Sequence, residues 1–124
     1  MSPRVPTHIT LHQASRRLEI GFNEEEIFSL PFEYLRVFSP SAEVQGHGPG
    51  QAILQIGKES VVVTDLRPVG HYGLCPTFSD GHQTGIYTWD YLYELGVTQP
   101  QRWQEYLEAL KQQGHLKAND PPLS

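Results

Sequence analysis

A single cysteine, Cys75, stands among the 124 residues. The chain therefore cannot form an intramolecular disulfide, and it cannot assemble a multi-cysteine zinc or iron–sulfur motif. Positive charge is also scarce. Nine Lys and Arg against fourteen Asp and Glu leave a net charge of −5, and no basic run breaks the balance. Both features argue against nucleic acid or an anionic membrane surface as partner. No apolar stretch is long enough to cross a bilayer. The opening Met1-Ser2-Pro3-Arg4-Val5-Pro6 has none of the apolar character of a signal peptide, so the cytoplasm is the expected compartment. A chain of this length buries roughly two-thirds of its unfolded surface and needs no metal or disulfide to fold.

Aromatic residues and turn formers, by contrast, are plentiful. Two Trp, six Tyr and five Phe supply bulk for a core, and eleven Gly with ten Pro exceed the usual share. The glycines and prolines cluster at Gly46-His47-Gly48-Pro49-Gly50, at Pro68-Val69-Gly70 and at Pro121-Pro122, which predicts tight connections between short elements. Ile9 and Leu11, then Leu18, Ile20 and Phe22, alternate with polar neighbours, and Ile27 to Leu30 is a third short run. That period of two predicts a meander of half-buried antiparallel strands, with turns at Ala14-Ser15-Arg16 and Asn23-Glu24-Glu25. Pro31 has the place of a first helical residue before Phe32, Tyr34, Leu35 and Val37. Ser39-Pro40 repeats the signal, Ser39 as cap and Glu43 near the positive end of the dipole.

Ala52 to Ile56 reads as a weaker strand and Val61 to Leu66 as the strongest. Tyr72 to Phe78 follows, with Pro76 predicting an edge or a bulge. Asp80-Gly81 predicts a hairpin into Thr84 to Tyr87. The last third turns helical. Thr88 caps a helix through Leu95 that Gly96 should stop. A longer helix opens at Pro100, with Trp103, Tyr106, Leu107 and Leu110 on one face, and Gly114 should end it. Strands first and helices last predict an α+β fold, a mostly antiparallel sheet with short helices and a C-terminal helix packed on it. Residues 1–114 should form one domain and residues 115–124 a flexible tail.

Two long motifs in order carry a family resemblance. One is Leu30-Pro31-Phe32-Glu33-Tyr34-Leu35-Arg36 followed by Ser39-Pro40-Ser41-Ala42-Glu43-Val44-Gln45-Gly46-His47-Gly48-Pro49-Gly50. The other is Pro68-Val69-Gly70-His71-Tyr72 followed by Phe78-Ser79-Asp80-Gly81-His82-Gln83-Thr84-Gly85-Ile86-Tyr87-Thr88-Trp89-Asp90-Tyr91-Leu92. Over roughly residues 7 to 96 the chain resembles the N-terminal-like domain of gamma-butyrobetaine hydroxylase. The resemblance implies a compact β-rich domain with flanking helices. The family occurs as small stand-alone bacterial proteins of unassigned function, and attached to iron–sulfur carrier ATPases and to iron- and 2-oxoglutarate-dependent hydroxylases. The jelly roll that catalyses in those hydroxylases has no counterpart here, since no His-x-Asp with a distant His follows.

The hydroxylase branch carries a zinc site of three cysteines and a later histidine. The resemblance puts Ser39, Ser41 and Val44 in place of the cysteines and retains His82. A neutral hydroxyl is a poor zinc ligand, so that structural zinc is not expected. The family's ligand positions also imply that Ser39, Ser41 and His82 lie within a few ångströms of one another. The expected binding surface comprises Arg36, Ser39, Ser41, Glu43, Gln45, His47, Asp80 and His82. Two readings of it remain open: a site for an anionic group or a metal, and mutual satisfaction of these groups. A rebuilt metal site would use His47 and His82, joined by Glu43 and Asp80, and its mixed ligation suits iron or zinc. The glycine loop around His47 lacks the Lys-Ser/Thr of a P-loop. Ser39 or Ser41 with His82 and Asp80 has no nucleophile elbow, which disfavours a hydrolase. The leading expectation is a non-catalytic accessory domain with a protein partner linked to iron–sulfur or metalloenzyme metabolism. The alternatives are a small histidine-based metal binder and, last, an enzyme.

Overall fold

The computed structural model describes residues 5–41, 44 and 54–114. Among them the chain forms six strands in two three-stranded antiparallel sheets, and three helices. The first sheet is the expected meander of β1 (His8–His12), β2 (Arg17–Gly21) and β3 (Ile27–Pro31), in that order across the sheet. Its register places Ile9 opposite Ile20 and Leu11 opposite Leu18. The apolar row of β2, Leu18 and Ile20, is thereby buried. On the other face His8 and His12 both hydrogen-bond the carboxylate of Glu19, at 2.8 and 3.2 Å, which holds it below its usual range. The β2–β3 turn is built by Asn23, whose side-chain oxygen accepts the Glu25 and Glu26 amides at 2.8 and 2.7 Å.

Pro31 ends β3 rather than opening the helix; it is the N-cap of α1 (Phe32–Val37), in extended backbone. A six-residue helix leaves most of its carbonyls without intrahelical partners, and tyrosines supply donors here. Tyr87 Oη donates to the Leu35 carbonyl, and Tyr91 Oη donates to that of Phe38, just past the helix end, at 2.5 Å. Burial pushes both phenols up.

The second sheet has β5 (Gly73–Phe78) between β4 (Val63–Val69) and the two-residue β6 (Tyr87–Thr88). Pro76 therefore lies in a central strand, not at an edge. β6 pairs only with Gly73 and Leu74, so Pro76 has no ladder neighbour on that side. Between β4 and β5 the register shifts at Val63/Asp65, in line with a bulge. The stretch expected as strand at 52–56 shows no strand over 54–56, and 52–53 lie outside the described residues.

Thr88 caps α2 (Trp89–Val97), its hydroxyl accepting the Tyr91 amide at 3.1 Å. Gly96 does not stop this helix, which runs on to Val97. A Cβ at Gly96 would lie 2.4 Å from the Phe28 ring, so the glycine marks close packing of α2 on β3, not a terminus. In α3 (Gln99–Gln112) Tyr106 and Leu110 are buried and Trp103 and Leu107 half-buried. With Val37, Phe38 and Leu54 they make a small second core. Trp103 also packs edge-on to Tyr34, tying α3 to the main core of Leu18, Ile20, Leu30, Phe32, Tyr34 and Phe78. Gly114, at φ +80°, follows the helix as expected.

Candidate functional site

The site lies where the chain leaves α1 and where it turns after β5. Asp80-Gly81 makes a tight turn, with Gly81 at φ +91°. Its amide donates to the Phe78 carbonyl at 3.0 Å, and the Phe78 amide donates to His82 at 2.9 Å. The expected hairpin does not form, because residues 83–86 run without strand pairing and β6 pairs only at 87–88.

This turn points His82 inward, where it is 6% exposed beside the Phe78 ring. His82 Nε2 lies 2.8 Å from Ser39 Oγ, and Ser39 is fully buried. Ser39 Oγ also accepts the Ser41 amide at 3.3 Å, and Ser41 Oγ lies 2.7 Å from Thr84 Oγ1. The two segments, more than forty residues apart in sequence, are thus cross-linked by two side-chain hydrogen bonds. Gly85 permits the approach, since a Cβ there would sit 2.4 Å from Ser39 Oγ. Nearby, Cys75 Sγ donates to the Gln83 carbonyl at 3.1 Å, holding the same segment.

Around the outer side of the turn lies a charge cluster. Arg36 Nε and Lys58 Nζ both donate to Asp80 Oδ2, at 2.9 and 2.8 Å, and Asp80 Oδ1 accepts the His82 amide at 3.3 Å. Partial burial pushes the Asp80 carboxyl up, but the hydrogen bonds from Lys58, Arg36 and the His82 amide outweigh it and hold the group at about 2. Asp80 is therefore ionised at any physiological pH.

The structure brings together Arg36 with Asp80 and Ser39 with His82, and sets Ser41 against Thr84. Glu43, Gln45 and His47 lie outside the described residues, and so does any contact between His47 and His82. A zinc at the family's position would need donors from Ser39, Ser41, Val44 and His82. Val44 offers no donor atom, Ser39 and Ser41 offer only neutral hydroxyls, and His82 Nε2 is bonded to the Ser39 hydroxyl. These residues do not fit the metal. Among the described residues no group of three or more His, Cys, Asp or Glu could hold a metal ion. A Ser-His-Asp relay does not form either, since Asp80 holds the backbone of His82 through one oxygen and two cations through the other. Sequence reasoning missed Lys58, Thr84 and Gly85. Lys58 sits in an ordinary-looking turn and gave no signal, whereas Thr84 and Gly85 were within reach because they belong to the motif that carries His82.

Beside the site lies an apolar groove of about 690 Å³ between the end of α1, Leu54 and α3. Val37, Phe38, Leu54, Tyr106 and Ala109 supply most of its apolar lining, with Arg102 and Glu105 among the polar groups. Tyr106 Oη, pushed up by burial, donates to the Gln55 carbonyl at 2.6 Å. Arg102 stacks over Phe38 and bonds Thr98 and Glu94.

The sequence model of the gamma-butyrobetaine hydroxylase-like N-terminal domain matches residues 9–93. The chain belongs to this family. Three solved structures share its fold. An NMR solution structure is 44% identical, with 98% of this chain and 96% of the other covered, at a TM-score of 0.82. A second is 37% identical over 100% and 98%, at 0.77. A crystal structure from Acidithiobacillus ferrooxidans ATCC 23270, described as a protein of unknown function in the DUF971 family, is 40% identical over 77% and 98%, at 0.63. No curated protein matches the chain. The gamma-butyrobetaine hydroxylase-like domain here is thus a small α+β unit, and its described residues contain no helix long and apolar enough to cross a membrane.

Proposed function

We propose that this chain is a non-catalytic interaction domain serving a protein partner in iron-linked or iron–sulfur metabolism. The observation that carries the reading is the closed state of the Ser39–His82 locus. The two groups with reactive potential are buried against each other at 2.8 Å, and the carboxylate beside them is occupied by two cations. A reaction centre needs its nucleophile open to a substrate, and the Ser39 hydroxyl is fully buried. What remains open is the groove beside α3, lined mostly by apolar side chains. That is the character of a recognition surface. The family's description as the N-terminal part of a hydroxylase-like protein supports a metalloenzyme as the partner it accompanies.

Affinity capture with the intact protein, read by mass spectrometry, tests this. The expected result is enrichment of an iron-dependent or iron–sulfur protein that is lost with Ala109→Arg, a change that fills the groove while keeping a good helix former. Capture of no metalloprotein, or capture indifferent to Ala109→Arg, contradicts it.

A further inference from the structure

Arg36 is unusual among the charged groups of this protein. It is 7% exposed, and its guanidinium offers five N–H donors. One of them, at Nε, meets Asp80. The terminal nitrogen Nη1 is buried and has no hydrogen-bond partner among the described residues. A buried ionised donor without a partner is costly, and in a native fold it calls for an explanation.

Asp80 does not provide one. A carboxylate commonly grips a guanidinium through two parallel bonds. Here it touches only Nε, at 2.9 Å, and its second oxygen is held by the His82 amide at 3.3 Å. Nη1 stands on the edge of the guanidinium away from Nε–H, so a carboxylate bonded at Nε does not reach it. Lys58 adds a second cation to the same Asp80 oxygen at 2.8 Å. The three side chains together carry one positive charge in excess, in a chain whose net charge is −5. Arg36 forms the floor of the cluster, at 9% side-chain exposure, and Lys58 and Asp80 form its more open rim, at 20% and 22%.

We propose that Arg36 Nη1 and Lys58 Nζ form an oxyanion site that takes a compact carboxylate or phosphate group. Asp80 orients the guanidinium through Nε and leaves the buried Nη1 as the donor still without a partner. Lys58 supplies the second charge from the rim. Arginine suits this role because its planar fork fixes the direction of its donors, while lysine acts as a point charge. The site is independent of the apolar groove and of the partner proposed for it.

Titration of the intact protein with inorganic phosphate and, separately, with acetate tests the proposal. Proton–nitrogen NMR at fixed ionic strength follows the Arg36 Nε–H and the amides of Lys58, Asp80 and His82. A saturable shift at these positions is expected with at least one of the two anions. Phosphate alone assigns a tetrahedral ligand, and acetate alone a carboxylate. Lys58→Ala removes a rim group whose side chain is 20% exposed and keeps the fold. It should weaken binding about tenfold, as loss of one charge-assisted hydrogen bond does. Arg36→Lys should remove the response. No saturable shift with either anion means that Nη1 is satisfied by water, and that result overturns the proposal. Equal affinity in wild type and Lys58→Ala overturns it as well.

Discussion

At the scale of single residues, the account rests on Ser39 and His82. A buried hydroxyl and a buried imidazole bonded to each other each become costly once the other is removed, because the survivor keeps its desolvation penalty without its partner. Ser39→Ala and His82→Ala should each lower unfolding stability by about 1–3 kcal/mol. The double variant should fall short of their sum by about 0.5–3 kcal/mol. Denaturant unfolding of the four proteins measures this, and strict additivity would show that the pair is not coupled. Asp80 makes a pH prediction. Its carboxyl is held at about 2 by Lys58, Arg36 and the His82 amide, below its unfolded value of about 3.9. A depressed carboxylate stabilises the fold above its unfolded value and loses that contribution as pH falls through the folded one. Wild-type stability should therefore decline between about pH 4 and pH 2. Asp80→Asn should be less stable than wild type at neutral pH and show a shallower decline over that window. At this scale the sequence was partly legible. Ser39, Ser41, Arg36, Asp80 and His82 stand in recognisable motifs, and the family pattern brings their two segments together. Lys58 was illegible because an isolated lysine in a turn has no pattern until the fold puts a carboxylate beside it.

At the scale of elements, local signals succeeded wherever the structure they describe is local. The alternation in Leu18-Glu19-Ile20 places the β2 row in the core, and the Thr88 hydroxyl caps α2. Signals failed where a distant segment decides. Gly96 carries a helix-stop rule, yet the Phe28 ring lies where its Cβ would be, so packing and not termination explains the residue. Pro76 reads as an edge residue, yet it sits in a middle strand because β6 is too short to reach it. Asp80-Gly81 does turn the chain, but the returning segment engages Ser41 and Cys75 rather than a strand. The apolar stripe of α3 joins both cores, Trp103 meeting Tyr34 and Tyr106 at centroid distances of 6.2 and 5.1 Å. Trp103→Ala should accordingly cost about 3 kcal/mol, the low end for a truncated tryptophan because the ring is half-buried. Chemical denaturation of the purified variant checks the figure. A change within about 0.5 kcal/mol would mean that the stripe does not hold α3 in place.

At the scale of the whole molecule, strands followed by helices announced an α+β fold, and two antiparallel sheets with helices are what forms. That the strands divide between two sheets was not legible, because alternation reports which residues face a core and not which strands pair across sixty residues of chain. The central claim is our proposal for the position where the family resemblance implies a zinc: the hydrogen bonds of Ser39 with His82 and of Ser41 with Thr84 take the place of a metal there. A structural metal stabilises the native state directly, so its removal lowers the melting temperature. The most direct test is thermal unfolding of untagged protein with and without a strong chelator, alongside elemental analysis. The account predicts an unchanged midpoint and no stoichiometric metal. A drop of several degrees on chelation, with one zinc or iron per chain, would contradict it.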